Sequence, residues 1–217
     1  MASWDEEKEK NPYIVVCIPL KDPFVTVEWT ISFDQLLLPP PYHVLFRRGP
    51  LPIDRARNEL VEDALKLNPK YILFWDSDVI VQKDAVYRLL SHHYPVTSIL
   101  YPDKGCTACV YQFVDELPRP VPWDQVHGRV VFADAVGFGM VLIDARVFRL
   151  MKSKGIWPPF EYLYSPTLNP EAPSEDQWFC AQLKKLGFSI LVDGRIVGHH
   201  VFAGKMVSPD KVGHLIP

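Results

Sequence analysis

The sequence predicts an α/β fold with a mostly parallel central sheet flanked by helices and a mixed, loop-rich C-terminal half. Two observations carry this. In the first half, short apolar runs alternate with amphipathic helical segments, and strand–helix–strand order implies parallel pairing through right-handed crossovers. In the second half the alternation breaks up around proline- and aromatic-rich stretches.

Taken in order, "PYIVVCIPL" (12–20) is a short apolar run closed by proline, the pattern of a buried strand. Residues 24–38 have mixed periodicity and predict a helix ending before Pro39-Pro40-Pro41. "YHVLFR" (42–47) is a second strand. "PIDRARNELVEDALKLNP" is a helix: Asp54 is placed to cap it, Ala56, Leu60, Ala64 and Leu67 share a face, and Pro69 stops it. Residues 71–79 are the third strand, "KDAVYRLLSHHY" a short helix, and "VTSILYP" a fourth strand. His92 and His93 follow that helix, where they can serve its last carbonyls. Residues 103–128 read as irregular. "RVVFADAVGFGMVLIDARVFRLMKSKG" is a strand broken by Gly137 and Gly139, then a helix ending at Gly155. After the loop "WPPFEYLYSPTLNPEAP", Ser174 and Gln177 form a capping box that opens "SEDQWFCAQLKKLGF", and Gly187 ends that helix. "SILVDGRIVGHH" closes as strand, turn and strand.

The 217 residues, 48% of them apolar, fit one domain over 1–217 with a polar tail at 1–11. Within it, 12–102 forms one half and 103–217 the other. No apolar run reaches the roughly 18 residues that span a bilayer. The opening "MASWDEEKEKN" resembles neither a signal nor a transit peptide, so a cytoplasmic protein is expected. Net charge is −3 and the basic residues are not blocked together, which argues against nucleic acid as the main partner. Cys106 and Cys109 form one CxxC with no second pair at zinc-site spacing, so these thiols read as structural or incidental, with a metal or redox role as the alternative. The 21 prolines, roughly twice the average share, predict long, stiff loops.

The chemistry concentrates in "YILFWDSDVI" (71–80), where two acids follow a strand-forming apolar run. On an extended chain Asp76 and Asp78 project to the same face. In open α/β sheets, ligands bind outside the carboxyl ends of the strands. Two adjacent carboxylates repel unless a cation lies between them, and a hard divalent ion is typically held by one or two carboxylates plus substrate phosphates. The pair therefore reads as a metal–phosphate site, or more plainly as solvated acids at a strand end.

Three further stretches accompany it: "IDRARNELVEDAL" before it, "AVGFGMVLIDARVF" after it, and "PSEDQWFCAQLKKLGFSILVDGRIVGHH" toward the end. Over residues 13–202 this ordered set resembles the GT-A nucleotide-sugar glycosyltransferases, whose fold is Rossmann-like, and especially glycosyltransferase family 2. The resemblance implies a D-x-D motif in which Asp78 ligates a divalent metal that bridges the donor diphosphate, while Asp76 touches ribose or sugar and reaches the metal through water. It makes Asp176 the general base toward the acceptor hydroxyl, with Glu175 beside it on the donor side, and His199 a late metal or phosphate ligand. Pro19 and Asp22 would grip base and ribose, Arg57 and Asn58 match a signature near the donor, and Gly137 and Gly139 would let backbone approach the sugar. It divides the chain into a nucleotide-binding half (12–102) and an acceptor-side half (103–217). The implied partners are a nucleotide-diphosphate sugar and an acceptor hydroxyl on a glycan, a protein or a lipid-linked group. The implied cofactor is a divalent metal, with Mn2+ favoured over Mg2+ by an imidazole ligand.

Each of these residues also has a plainer reading. Glu175 and Asp176 sit in a first helical turn, where the macrodipole favours acids anyway. Arg55 and Arg57 fit a solvated helix face, and the glycines fit a bulge. Two histidines in a row on an extended segment face opposite ways, so only one of them lines a given site.

Three functions follow. The first is transfer of a sugar to an acceptor hydroxyl, with inversion if the base lies opposite the leaving group. The second is a sugar-nucleotide nucleotidyltransferase. It is disfavoured because "CIPLKDPFV" has no glycine for a triphosphate loop. The third is a non-catalytic nucleotide- or carbohydrate-binding module, disfavoured by the intact D-x-D, E-D and late histidine.

Overall fold

The computed structural model describes residues 13–20, 24–49, 52–103, 107–162, 173–202 and 205–207. They fold in the order β1 (Ile14–Leu20), α1 (Val27–Gln35), β2 (Tyr42–Arg48), α2 (Ile53–Lys66), β3 (Tyr71–Trp75), β4 (Val79–Ile80), α3 (Ala85–Ser91), β5 (Val96–Leu100), β6 (Val110–Val114), β7 (Leu117–Pro120), α4 (Trp123–Val126), β8 (Val130–Ala133), β9 (Ala135–Val136), β10 (Met140–Asp144), α5 (Ala145–Ser153), α6 (Glu175–Lys185), β11 (Ile190–Val197), β12 (His199–Phe202) and β13 (Lys205–Val207).

The central sheet has seven strands in the order β2-β1-β3-β10-β5-β11-β8. Strands β2, β1 and β3 are parallel, as the alternating first half predicts. Strand β10 enters antiparallel between β3 and β5, β11 runs parallel to β5, and β8 closes the far edge antiparallel to β11. The inner strands β1, β3, β10 and β5 are buried on both faces, which is why they read as continuous apolar runs, while the edge strands β2 and β8 are partly exposed. Along β1 and β3, Val15, Cys17, Ile72 and Phe74 enter one core, which α2, α5 and α6 cover. The alternate residues Ile14, Val16, Ile18, Leu73 and Trp75 enter a second core with Trp29 of α1 and Leu89 of α3.

Several expectations are corrected. The third strand stops at Trp75 rather than 79, and residues 76–78 form a turn closed by the Val79 N–H donating to the Asp76 carbonyl at 3.2 Å. Asp54 does not cap α2, because Pro52 occupies the N-cap. Residues 103–128 are not irregular throughout. They hold the β6–β7 hairpin and α4, and β7 tolerates Pro118 and Pro120 because it is the edge of a small sheet ordered β7-β6-β9. The His92 imidazole turns to Asp193, 2.9 Å away, rather than to the carbonyls ending α3. The predicted capping box of α6 is formed.

Arg195 grips the same carboxylate, its Nε 2.7 Å from Oδ1 and its Nη2 2.7 Å from Oδ2 of Asp193. Burial works against the Asp193 charge, yet the hydrogen bonds from Arg195 and His92 bring its pKa down to about 2.

Candidate active site

The site lies at the carboxyl ends of β1, β2 and β3, where open α/β sheets bind ligands. A cavity of about 650 Å³ opens there. It is lined by Pro19 and Leu20 from the end of β1, Arg47 and Arg48 from the end of β2, Asp54 and Arg57 from the first turns of α2, Asp76 and Asp78 from the turn after β3, and Tyr162. Helix α2 starts at this edge because it crosses back from β2 to β3, so its positive N-terminal end faces the cavity.

The centre of the site is Arg57. The sequence left it open between a solvated helix face and a donor-site signature, and the structure buries it to 3% exposure. Its Nη2 lies 3.0 Å from Asp76 Oδ1, and its Nε donates to Glu175 Oε1 at 3.1 Å. The guanidinium stacks between the Phe74 and Phe138 rings, 5.6 and 5.0 Å from their centroids. Burial opposes the charge, but Asp76 and Glu175 outweigh it and hold Arg57 above its usual pKa. Asn58, next on the helix, is turned elsewhere. Its amide donates to the Phe160 carbonyl at 2.8 Å and its carbonyl oxygen accepts from the Phe160 N–H at 3.0 Å, so it fastens the segment leading to Tyr162.

The two carboxylates of the D-x-D stretch part company because they sit in a turn and not on a strand. Asp76 continues the Ile72–Phe74 face and meets Arg57, and its backbone N–H donates to the Gly139 carbonyl at 3.1 Å. Burial pushes Asp76 up to about 7 against the pull of Arg57, with Asp78 and Glu175 adding to the rise. Asp78 turns to the other side, where its Oδ2 is 3.0 Å from His200 Nε2. The second His200 nitrogen, Nδ1, lies 3.3 Å from the Pro102 carbonyl oxygen.

The sequence reading makes His199 the late metal or phosphate ligand; the structure places His200 against Asp78. Strand β12 pairs antiparallel with β4 so that His199 stands opposite Ile80 and His200 opposite Val79. A register difference of one residue exchanges the two faces.

Asp176 occupies the first turn of α6. It accepts hydrogen bonds from the Ser174 hydroxyl and, at 2.8 Å, from the Gln177 N–H. Burial, with Glu175 adding to it, pushes its carboxyl up to about 6. Glu175 is 4% exposed and faces Arg57.

Gly137 and Gly139 are buried under Tyr101. A Cβ on Gly139 would lie 2.5 Å from Tyr101 Cζ, and the Tyr101 hydroxyl accepts from the Gly139 N–H at 3.0 Å. Close packing of that ring therefore accounts for both glycines. Asp22 and Cys106 lie outside the described residues.

Among the described residues no three His, Cys, Asp or Glu side chains converge on one point, so a metal would draw its protein ligands from Asp78 and His200. That pair fits a hard or borderline divalent ion which takes its remaining ligands from phosphate oxygens and water. Arg47 and Arg48, which sequence reasoning did not single out, also line the cavity. Their signal was their place at the carboxyl end of a predicted strand. Arg47 is partly neutralised by Glu59, 3.2 Å away, and by Asp63.

No protein-family model matches the sequence, and no curated protein matches it. Solved structures do resemble it. A197 from STIV superposes with a TM-score of 0.60 at 17% identity, covering 91% of this chain and 90% of that one. GalNAc-T7, crystallised with UDP, GalNAc and Mn2+, gives 0.57 at 11% identity, and the chain spans 44% of its length. Residues 1–349 of S. aureus TarS give 0.51 at 15% identity, with 59% of that chain spanned. TarS in complex with UDP-GlcNAc gives 0.50 at 16% identity. With a seven-stranded, mostly parallel sheet between two layers of helices, the chain has the GT-A fold of glycosyltransferases.

Proposed function

We propose that this protein is a metal-dependent glycosyltransferase of the hexosyltransferase type, which moves a sugar from a nucleotide-diphosphate donor to an acceptor hydroxyl. The observation that carries the reading is the Arg57 bridge. It fastens the helix bearing Asp176 to the acidic turn of Asp76 and Asp78, beside a cavity lined by both arginines and aspartates. The fold and the UDP and Mn2+ named for GalNAc-T7 support it.

In this reading the nucleoside lies over Pro19 toward Arg47 and Arg48, and the diphosphate lies against the Asp78–His200 pair. A bound divalent ion would supply Lewis-acid stabilisation of the departing nucleotide. An imidazole ligand favours Mn2+ over Mg2+. Asp76, fixed by Arg57, contacts the donor beside the diphosphate. Asp176, with its carboxyl raised toward neutrality, takes the proton of the attacking hydroxyl. Attack from the face opposite the leaving group gives inversion. The acceptor is a hydroxyl of a glycan, a protein or a lipid-linked group.

The test is to incubate the protein with UDP- and GDP-sugars, with Mn2+ and with chelator, and to identify the products. Metal-dependent release of nucleoside diphosphate supports transfer. Pyrophosphate release from a sugar phosphate and nucleoside triphosphate would identify a nucleotidyltransferase, and binding without turnover a non-catalytic module.

A further inference from the structure

We propose that Asp54 reads a vicinal diol of the donor, acting with Arg57 from one face of α2; this rests on the donor-site reading above. Asp54 is the second residue of the helix, and the N-cap is Pro52, with no side-chain hydrogen bond capping that end. Its Oδ1 is buried and has no hydrogen-bond partner among the described residues. Arg57 follows three positions later and so shares its face. Nε and Nη2 of Arg57 are taken by Glu175 and Asp76, while its Nη1 is buried and likewise has no hydrogen-bond partner among the described residues. Arg57 is 3% exposed, and both residues line the 650 Å³ cavity.

Buried polar atoms in native proteins are almost always paired, so two unpaired ones on a single helical face need an explanation. One is an acceptor and the other a donor. A phosphate oxygen answers Arg57 but is repelled by Asp54. A carboxylate partner fails in the same way, and a cation fails against Arg57. A hydroxyl pair answers both, because each hydroxyl donates one hydrogen bond and accepts others. The link from Arg57 to Asp76 sets this pair beside the acidic turn. The diols next to a donor diphosphate are the nucleoside ribose and the transferred sugar. Asp54 therefore supplies specificity for a polyhydroxylated group attached to the diphosphate.

Isothermal titration in Mn2+ tests this with four probes: UDP, 2′,3′-dideoxy-UDP, UDP-glucose and inorganic pyrophosphate. Wild-type protein and Asp54→Ala are compared, and melting curves verify that the variant is folded. If the ribose is read, wild type prefers UDP over the dideoxy compound about tenfold or more, and the variant loses that preference. If the sugar is read, wild type prefers UDP-glucose over UDP, and it is this preference that the variant loses. In either case pyrophosphate affinity stays within about twofold. Unchanged discrimination in Asp54→Ala overturns the proposal and leaves the donor site standing. So does a variant whose only change is tighter pyrophosphate binding, since Asp54 would then be a mere electrostatic neighbour of phosphate. Wild-type protein that binds UDP-glucose and pyrophosphate equally, with no diol discrimination, also overturns it. Failure of wild type to bind any nucleotide sinks the donor-site reading itself.

Discussion

Arg57 Nε lies 3.1 Å from Glu175 Oε1, a contact between residues 118 positions apart in the chain. Both side chains are almost completely buried, and the same guanidinium reaches Asp76 at 3.0 Å. One side chain thus fixes the distance between the turn after β3 and the first turn of α6. Removing it strands two carboxylates in an apolar pocket between Phe74 and Phe138. Arg57→Met is expected to lower stability by roughly 3–5 kcal/mol, the usual result of breaking a buried pair from one side. Arg57→Lys should fall between the variant and wild type, because a single ammonium does not bridge both acids with the guanidinium's geometry. Urea denaturation measures this, and a wild-type midpoint for Arg57→Met would rule out the clamp.

In the proposed mechanism Asp176 sets the pH dependence. Burial and the neighbouring Glu175 raise its carboxyl to about 6, and a general base works only when deprotonated. Turnover should therefore be on a plateau above pH 6 and fall about tenfold per unit as pH drops below it. Asp176→Asn should lower turnover by about two to four powers of ten, with donor affinity nearly unchanged. A pH–rate profile of kcat/KM for the wild type checks the limb. An acid limb centred near 4 would mean that the base is a carboxyl in an ordinary environment.

The two histidines should behave differently. His200 touches Asp78, while His199 occupies the alternate register position on β12. His200→Ala is expected to weaken Mn2+ binding about tenfold or more in the presence of UDP and to erase any preference over Mg2+. His199→Ala should leave that preference in place. Metal titrations followed by calorimetry distinguish the two. Loss of preference in His199→Ala alone would put the one-residue register in error.

Asp193 predicts acid behaviour remote from the chemistry. Its folded pKa of about 2 lies below the ordinary 3.8, so its stabilising effect is fully present above about pH 4 and is lost as pH falls through 2. The shift corresponds to roughly 2 kcal/mol. Asp193→Asn should lose about that much stability at pH 7 and show a shallower decline between pH 4 and 2. Chemical denaturation at a series of pH values would show two parallel curves if the hydrogen bonds to Arg195 and His92 contribute nothing.

The fold was legible in the sequence wherever one strand or helix decided its own pattern. The strands around Val15 and Leu73 are apolar on both faces, and the α6 capping box needs only Ser174 and Gln177. Features that depend on distant partners were not legible. Asp54 resembles a cap until Pro52 is seen to take that place. Asp76 and Asp78 look like neighbours on a strand, and they separate because Arg57 draws one and His200 the other. The choice between His199 and His200 turns on a register with β4, a pairing between segments about 120 residues apart. The Gly137–Gly139 break was visible, but its cause is the Tyr101 ring, contributed by a different strand connection.

The placing of β10 has a consequence for how the molecule is made. Strand β3, whose five residues are all buried, has β1 on one side and β10 on the other. Its second neighbour is synthesised some seventy residues later. Until Met140–Asp144 emerges and docks, the "YILFW" segment is an open sheet edge, apolar on both faces, the kind of surface that recruits other chains. Such long-range pairing is slow to form because loop closure precedes its reward. Nascent chains stalled before residue 140 should therefore aggregate or engage chaperones, and chains that pass it should become protected together at β3 and at the turn that carries Asp76.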